Sequence, residues 1–296
     1  MFLSCLLIEI GTNPDHPRPG RTWLRNLYHV HQRLCMAFPS ASRKSHDADF
    51  LKPFDPADFG NGQVHVARGA NSGFLFRVDP GPDGRAVILV QSAVKPDWDY
   101  AFQNAGFLPA APAEVKVYEP ALAAGQRFRF RLLANPTKKI GTIRKEDRQR
   151  HTKEELKRIE GRNGRRVPVP SSEELSAWRQ QNPNGDERTF ISLRLLDWLE
   201  QKAEPSGFSL ENVSVQPGYA YFKKPGQHER QGPERETKDT GRRRWARYDG
   251  VLVVADPARF RETLFRGIGS GKAFGFGLLS VAPCREAEGP AGRPAT

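Results

Sequence analysis

The segment Gln126-Arg-Phe-Arg-Phe-Arg-Leu-Leu133 alternates charged and apolar side chains. Successive side chains of a strand point to opposite faces of a sheet, so this pattern predicts a β-strand. One face carries Arg127, Arg129 and Arg131, and the other carries two phenylalanines and a leucine. We therefore expect this strand to cover a core with its apolar face and to present a row of guanidinium groups on the other.

The elements after this strand predict the topology of the second half of the chain. Helical patterns cover residues 172–181, 191–203 and 257–267, and strand patterns cover residues 213–222, 245–254 and 274–281. Together with the strand at 126–133, these elements follow the β-α-β-β-α-β order of the ferredoxin-like fold.

The first half of the chain fits the same order less regularly. Its strand patterns cover residues 1–10, 73–79, 85–92 and 114–118, and its helices cover residues 22–38 and part of 95–106, with an irregular crossing at 40–62. We predict an α+β protein of two tandem ferredoxin-like domains, at residues 1–120 and 125–284. Residues 285–296, which are rich in Pro, Gly, Ala, Glu and Arg, predict a disordered tail.

The positive charge of the chain is concentrated in one segment. The chain has a formal net charge of +12, and residues 127–166 alone hold 15 basic and 5 acidic side chains. Clustered Lys and Arg are typical of surfaces that bind nucleic-acid phosphates, although a solvated basic loop has the same composition. No apolar run is long enough to span a bilayer, and the three cysteines have no disulfide or zinc spacing. We expect a cytoplasmic protein with a polyanionic partner, no membrane and no metal or other cofactor.

The helix predicted at residues 22–38 carries two histidines with different surroundings. Placed on a helical wheel, His31 and Tyr28 are neighbours at the edge of the apolar face, whereas His29 points to solvent. A boundary histidine of this kind is more often structural than catalytic. The wheel alone therefore leaves both interpretations open.

A glycine-rich segment, Gly267-Ile-Gly-Ser-Gly-Lys-Ala-Phe-Gly-Phe-Gly277, lies near the C-terminus. It is not a Walker A loop, because Ala273 replaces the Ser/Thr that would hold magnesium, and it has the wrong order of elements for a Rossmann fingerprint. One interpretation is a tight helix-to-strand turn. The other is an anion-binding nest in which Gly269 and Gly271 allow close approach of a nucleic-acid backbone and Lys272 adds charge.

Three motifs together resemble those of a known family. They are Asn26-Leu-Tyr-His-Val-His31-Gln-Arg-Leu34, Phe128-Arg-Phe-Arg-Leu-Leu-Ala-Asn-Pro136 and the glycine-rich segment continued as Leu278-Leu-Ser-Val-Ala-Pro283. In this order they resemble the CasE-type CRISPR pre-crRNA endoribonucleases, the repeat-processing subunit of type I-E Cascade.

The resemblance implies tandem ferredoxin-like (RAMP) domains and metal-independent cleavage of the CRISPR repeat at the base of its stem-loop. It also implies a 2′,3′-cyclic phosphate product, retention of the crRNA hairpin, and assembly with other Cascade subunits. The family motif Y-x-x-H maps onto Tyr28 and His31 as the catalytic residues. An alternative of the same fold is a catalytically silent RNA-binding scaffold in which His31 merely packs.

The sequence departs from the family at Met36, where some members carry a lysine. The charge that stabilises the transition state must then come from another cation, and Lys138, Lys139, Lys272 and Arg43 are candidates. We further expect RNA contacts from Lys138 and Lys139, from the arginine row of residues 127–131 and from a second basic group near a predicted hairpin. That group is Arg242, Arg243 and Arg244, next to Trp245. A solvated face remains the alternative for both groups.

Overall fold

The computed structural model describes residues 1–11, 17–38, 73–140, 152, 154–155, 165–222 and 241–284. Within these ranges, the side chains of residues 165, 221, 222, 241 and 242 are not described. The crossing predicted at 40–62, the tail predicted at 285–296, Arg43 and most of the basic segment after Ile140 lie outside the described residues.

The first half forms a four-stranded antiparallel sheet in the order β2-β3-β1-β4. Its strands are β1 (Phe2–Glu9), β2 (Phe74–Pro80), β3 (Arg85–Ser92) and β4 (Glu114–Val117). Its helices are α1 (Pro19–Leu24), α2 (Leu27–Cys35) and α3 (Trp98–Phe102). Leucine, isoleucine and phenylalanine side chains of β1, β2 and β3 pack against the helices as one buried core.

The second half forms another four-stranded antiparallel sheet, in the order β10-β5-β9-β8. Its strands are β5 (Arg127–Ala134), β8 (Phe208–Phe222), β9 (Gly241–Val254) and β10 (Leu279–Pro283). Its helices are α4 (Ser172–Gln181), α5 (Glu187–Ala203) and α6 (Pro257–Arg266), with 3₁₀ turns at Glu204–Ser206 and Lys272–Phe274. A separate hairpin joins β6 (Thr137–Ile140) to β7 (Arg165–Pro168).

Within each half, the sheet places the fourth strand beside the first, then the third, then the second. This is the strand order that β-α-β-β-α-β connections produce in a ferredoxin-like fold. The predicted fold class is therefore confirmed. The domain limits at 1–120 and 125–284 stay a prediction, although the two sheets use residues on either side of that division.

Several elements begin a few residues earlier than predicted, such as α5 at Glu187 and β8 at Phe208, and three further local features differ from expectation. The single helix predicted at 22–38 is two helices, because Asn26 is extended and its side chain accepts a hydrogen bond from the backbone N–H of Tyr28. The closing strand begins at Leu279 rather than 274, because the glycine-rich segment turns until Leu278. The β6–β7 hairpin was not predicted, since neither Thr137–Ile140 nor Arg165–Pro168 alternates apolar and polar residues.

Two buried polar side chains of the first sheet attach it to the second half. Arg77 of β2 is 4% exposed, pairs with Asp79 at 2.8 Å and donates to the backbone oxygen of Arg131 at 3.2 Å. It also donates to the Ser280 hydroxyl at 2.8 Å. Gln91 of β3 donates to the backbone oxygen of Leu264 in α6 at 2.6 Å. The two halves therefore share hydrogen bonds as well as apolar contacts.

Candidate functional site

Helix α2 sets the positions of His31 and Tyr28. Val30 and Leu34 point into the core, His31 and Tyr28 are half-buried at its edge, and His29 is exposed. The helical wheel therefore predicted the surroundings of both histidines correctly. It did so because residues 27–35 form one uninterrupted helix after the cap at Asn26.

His31 lies against aromatic and sulfur-containing side chains. Its ring centroid is 5.4 Å from that of Phe74 and 6.2 Å from that of Phe76, with nearly parallel planes. The Sγ of Cys35 is 3.6 Å from Nε2 and 3.9 Å from Nδ1 of the same ring. Burial raises the pKa of the Cys35 thiol to about 12, so the thiol next to the imidazole is neutral at physiological pH.

The glycine-rich segment contacts the same helix from the second half of the chain. The ring of Phe274, in the 3₁₀ turn, is 6.4 Å from that of Tyr28. At the next residue, a Cβ on Gly275 would lie 3.1 Å from the ring of Phe76, which itself stacks on His31. Two motifs more than 230 residues apart thus form one site. The hypothesis that named both motifs did not predict this aromatic contact.

The conformation of the glycine-rich segment explains its composition without a ligand. Gly271 has φ +77°, and a Cβ there would lie 3.0 Å from the ring of Phe276. Gly275 has φ +74°, and its Cβ would meet Phe76. A side chain at either position would be strained and crowded by the protein itself. The backbone conformation and the crowding are thus sufficient to explain these glycines. RNA contact at Gly269 and Gly271 stays a prediction.

Lys272 lies at the start of the 3₁₀ turn and is half-buried. Its pKa is lowered by burial and by the nearby guanidinium of Arg266. Lys272 is therefore part of the same short turn as Phe274, the residue that contacts Tyr28.

The arginine row on β5 has the predicted geometry, with alternate side chains buried and outward. Two of its three guanidinium groups form ion pairs with carboxylates of β8 and β9. Arg127 lies 2.6 Å from Glu211, and Arg131 lies 2.5 Å from Asp249. Arg129 is exposed and has no ion pair among the described residues. Its charge is the least compensated of the row.

Lys138 and Lys139 lie on β6 with different surroundings. Lys138 forms an ion pair with Glu174 of α4 at 2.8 Å, and Arg194 binds the same carboxylate. Burial alone would raise the pKa of Glu174. Hydrogen bonds from Lys138, the Ser171 backbone N–H and Arg194 outweigh this effect and lower that pKa to about 2. Lys139 is exposed, so it is the more available cation of the two.

The second basic group lies on β9. Arg243 is exposed, and Arg244 donates to the backbone oxygen of Pro170 at 2.7 Å while its guanidinium lies 5.7 Å from the ring centre of Tyr219. Only the backbone of Arg242 is described. The structure therefore places Arg244 in a packed setting and leaves Arg243 at the surface.

Comparison with known proteins gives the family. A family model described as CRISPR associated protein matches residues 1–283. The chain belongs to this CRISPR-associated family. Within the family it is similar to the CRISPR-associated endoribonuclease Cse3 of Thermus thermophilus, with 30% identity over 71% of this chain and 79% of that protein. It is also similar to the CRISPR system Cascade subunit CasE of Escherichia coli, with 26% identity over 89% of this chain and 96% of that protein.

A solved structure of a CRISPR-associated endoribonuclease is similar over nearly the whole length. CRISPR endoribonuclease Cse3 bound to a 19-nucleotide RNA has a TM-score of 0.58 and 27% sequence identity to this CRISPR-associated chain. The similarity covers 96% of this chain and 100% of that one. The family resemblance inferred from the three motifs is thereby confirmed.

Sequence reasoning missed several residues around the site. Cys35 stands four residues after His31, which is one helical turn, so the spacing alone could have predicted their contact. Phe74 and Phe76 alternate on β2, but nothing local in the sequence predicts that they stack on a ring of α2. Across the described ranges, no three His, Cys, Asp or Glu residues cluster as metal ligands do. Nor does any helix in those ranges have the length and apolarity to cross a bilayer.

Proposed function

We propose that this chain is a metal-independent endoribonuclease that cleaves CRISPR repeat RNA at the base of its stem-loop. It then keeps the crRNA hairpin and joins the Cascade complex in the cytoplasm. The observation that carries the proposal is the pairing of His31 and Tyr28 on α2 with the glycine-rich segment, in a chain of this family. The names of its relatives, an endoribonuclease and a Cascade subunit, support the same activity.

The residues suit cleavage by the RNA's own 2′-hydroxyl. That oxygen loses its proton and attacks the adjacent phosphorus, the bond from phosphorus to the 5′-oxygen breaks, and the leaving oxygen takes up a proton. The products are a 2′,3′-cyclic phosphate and a 5′-hydroxyl. An imidazole can carry either proton at neutral pH, which is worth about 10²–10⁴-fold in rate. His31 supplies this group, and Tyr28 lies one helical turn away to bind the 2′-oxygen or the phosphate.

A cation is needed for the charge that develops on the phosphorane oxygens. Of the candidates at described positions, Lys272 lies on the turn that contacts Tyr28 through Phe274. Lys138 is already paired with Glu174, and Lys139 lies on β6 rather than on the turn that contacts Tyr28. We therefore assign the charge-stabilising role to Lys272, in the place of the lysine that some family members carry where this chain has Met36.

A single-turnover assay on the cognate repeat RNA with EDTA present tests the proposal. Replacing His31 by Ala should lower the cleavage rate by about 10²–10⁴-fold because proton transfer is lost. RNA affinity should change by only a few-fold, since phosphate and shape contacts lie elsewhere. His29→Ala is the matched control on the exposed face of the same helix, and it should cut at the wild-type rate.

The rival hypothesis is an RNA-binding scaffold. It is favoured by the stacking of His31 on Phe74 and Phe76, which is also how a purely structural histidine packs. Binding without cleavage by the wild-type protein would select this scaffold. Cleavage that EDTA abolishes, or wild-type cleavage by His31→Ala, would contradict the proposed mechanism. A 2′-deoxy nucleotide at the cleaved position should block the reaction, because it removes the nucleophile.

A further inference from the structure

A cleft of about 350 Å³ lies in the second half of the chain, away from His31 and Tyr28. It is bounded by the β6–β7 hairpin, the C-terminal end of α5, one side of α6 and residues 267–269. We call it the hairpin cleft. Its volume is in the range of pockets that hold small ligands or parts of larger ones.

The charged side chains of the hairpin cleft are mostly basic. They come from three separate elements: Arg166 from β7, Lys202 from α5, and Arg259, Glu262 and Arg266 from α6. The single carboxylate, Glu262, is already bound to Arg266 at 2.8 Å. Arg259 has a partner outside the cleft, Asp256 at 3.3 Å. The lining therefore has a net positive charge, which favours an anion in the cleft.

Hydrogen-bond donors accompany these charges. Thr137 and Thr263 also line the cleft. A guanidinium nitrogen of Arg166 donates to the Thr137 hydroxyl at 3.4 Å, and the Thr263 hydroxyl donates to the backbone oxygen of Ser206 at 3.1 Å, so the remaining N–H groups of the basic side chains are the donors for a ligand. Guanidinium, ammonium and hydroxyl groups are the side-chain groups that most often bind phosphate oxygens of nucleic acids. The chemistry of the lining thus fits a phosphate group.

The hairpin cleft is connected to the candidate catalytic site by the glycine-rich segment. Gly269 lines the cleft, and Phe274 contacts Tyr28. These two residues are five positions apart, so their Cα atoms are separated by at most about 18 Å. An RNA strand that passes His31 can therefore reach the cleft within a few nucleotides.

We propose that the hairpin cleft binds backbone phosphate of the same RNA, a few nucleotides from the bond that is cleaved. This inference rests on the proposed function for the identity of the RNA. Arg166, Lys202, Arg259 and Arg266 neutralise the phosphate charge, and none of them takes part in proton transfer. The cleft acts as a binding subsite that holds the RNA strand in register with His31.

A binding titration tests the subsite without depending on cleavage. The probe is the cognate repeat RNA with a 2′-deoxy nucleotide at the cleaved position, and affinity is measured at several salt concentrations. The test variant is Lys202→Gln with Arg266→Gln. The control variant is Arg188→Gln with Arg261→Gln, which removes the same charge from exposed positions of the same two helices outside the cleft lining. Along α5, Arg188 is about 21 Å from Lys202.

The test variant should bind the RNA on the order of tenfold more weakly than the control variant. The slope of log affinity against log salt should flatten by about 0.7–1.4, because each lost phosphate contact on a single strand contributes about 0.7 and Glu262 already compensates part of the charge of Arg266. Equal melting temperatures of the two variants exclude a folding effect.

Equal RNA affinity of the test and control variants overturns the inference. A wild-type protein that does not bind the RNA also overturns it. If the wild type binds but does not cut, and the test variant alone binds weakly, the proposed function fails and the subsite stands. Inorganic phosphate is the second probe. If it raises the melting temperature of the control but not of the test variant, while RNA affinity is equal, the cleft holds free phosphate and the RNA subsite is wrong.

Discussion

The two halves of the molecule have sheets of the same strand order but surroundings of opposite character. Around α2 and β2 of the first half, rings stack on rings: Phe38 on Phe74 at 5.0 Å and His31 on Phe74 at 5.4 Å. Around β5 and α4 of the second half, charges pair with charges: Arg131 with Asp249, and Lys138 with Glu174. One topology therefore supports an imidazole in aromatic surroundings and a surface organised by ion pairs.

Under the proposed function, this difference assigns proton transfer and RNA attachment to different elements. The rings around His31 come from β2, whereas the arginine row lies on β5. The proposed phosphate contacts of the row therefore use none of the side chains that stack on His31. The two halves are joined by a buried charged group. The guanidinium of Arg77 on β2 extends to the backbone oxygen of Arg131 and the hydroxyl of Ser280 in the second half, and we call these contacts the joint.

The largest effect on stability is expected from removing this joint. Arg77→Met leaves Asp79 without its closest partner and removes one of two donors to the backbone oxygen of Arg131, the other being the Ser280 hydroxyl. Breaking a buried ion pair by removing one partner costs about 3–5 kcal/mol, and we expect about 4 kcal/mol in urea unfolding. The control is Arg85→Met on β3, whose ion pair with Glu9 is half-exposed at 3.5 Å and should cost less than about 1 kcal/mol. Equal losses of unfolding free energy for the two variants would show that the Arg77 contacts stabilise the fold no more than a half-exposed ion pair does.

A smaller loss is expected where the glycine-rich segment meets the first sheet. Gly267 has φ +69°, and a Cβ there would lie 2.6 Å from the Gly277 oxygen and 2.7 Å from Leu75. Gly267→Ala should cost about 3 kcal/mol, the sum of left-handed backbone strain and overpacking. Gly125→Ala is the matched control, because φ is +78° with no atom within 4 Å of the Cβ. It should cost about 1–2 kcal/mol from backbone strain alone. A larger loss of thermal stability for Gly125→Ala than for Gly267→Ala would contradict the packing argument.

The smallest effect is expected within the arginine row, and it is seen only in RNA binding. Arg129→Gln should flatten the slope of log affinity against log salt by about 0.7–0.9, the effect of one lost phosphate contact. Arg127→Gln should flatten it less, because Glu211 already compensates that charge at 2.6 Å. A salt titration of both variants with repeat RNA measures the difference. Unchanged slopes for both variants would show that the RNA phosphates do not contact β5.

Local patterns in the sequence predicted most of the elements, because each depends on neighbours in the chain. The alternation at 126–133 predicted β5, and the wheel over α2 predicted that His31 is half-buried and His29 exposed. The break before α2 was missed, since the cap at Asn26 competes with a helical pattern that continues on both sides. A side-chain cap depends on one hydrogen bond, and hydrophobic periodicity carries no information about that bond.

Contacts between distant residues could not be predicted in the same way. Arg131 and Asp249 are 118 positions apart, and no local pattern shows that this carboxylate compensates part of the row. The stacking of Phe74 and Phe76 on His31 likewise depends on how β2 packs under α2. The roles of His31, Tyr28 and the basic side chains stay predictions that rest on the motif and on these surroundings.

The strand order of the second sheet also has a consequence for folding. β5 lies between β9 and β10, and Leu132 of β5 pairs with Leu279, close to the end of the described chain. Pairing over such a sequence separation makes folding slow, because a long loop must close before the contact forms. During synthesis, β5 leaves the ribosome well before either of its neighbours, with Phe128 and Phe130 on its apolar face. Until β9 and β10 emerge, both edges of β5 are unpaired, and unpaired edges with exposed apolar surface favour aggregation during folding.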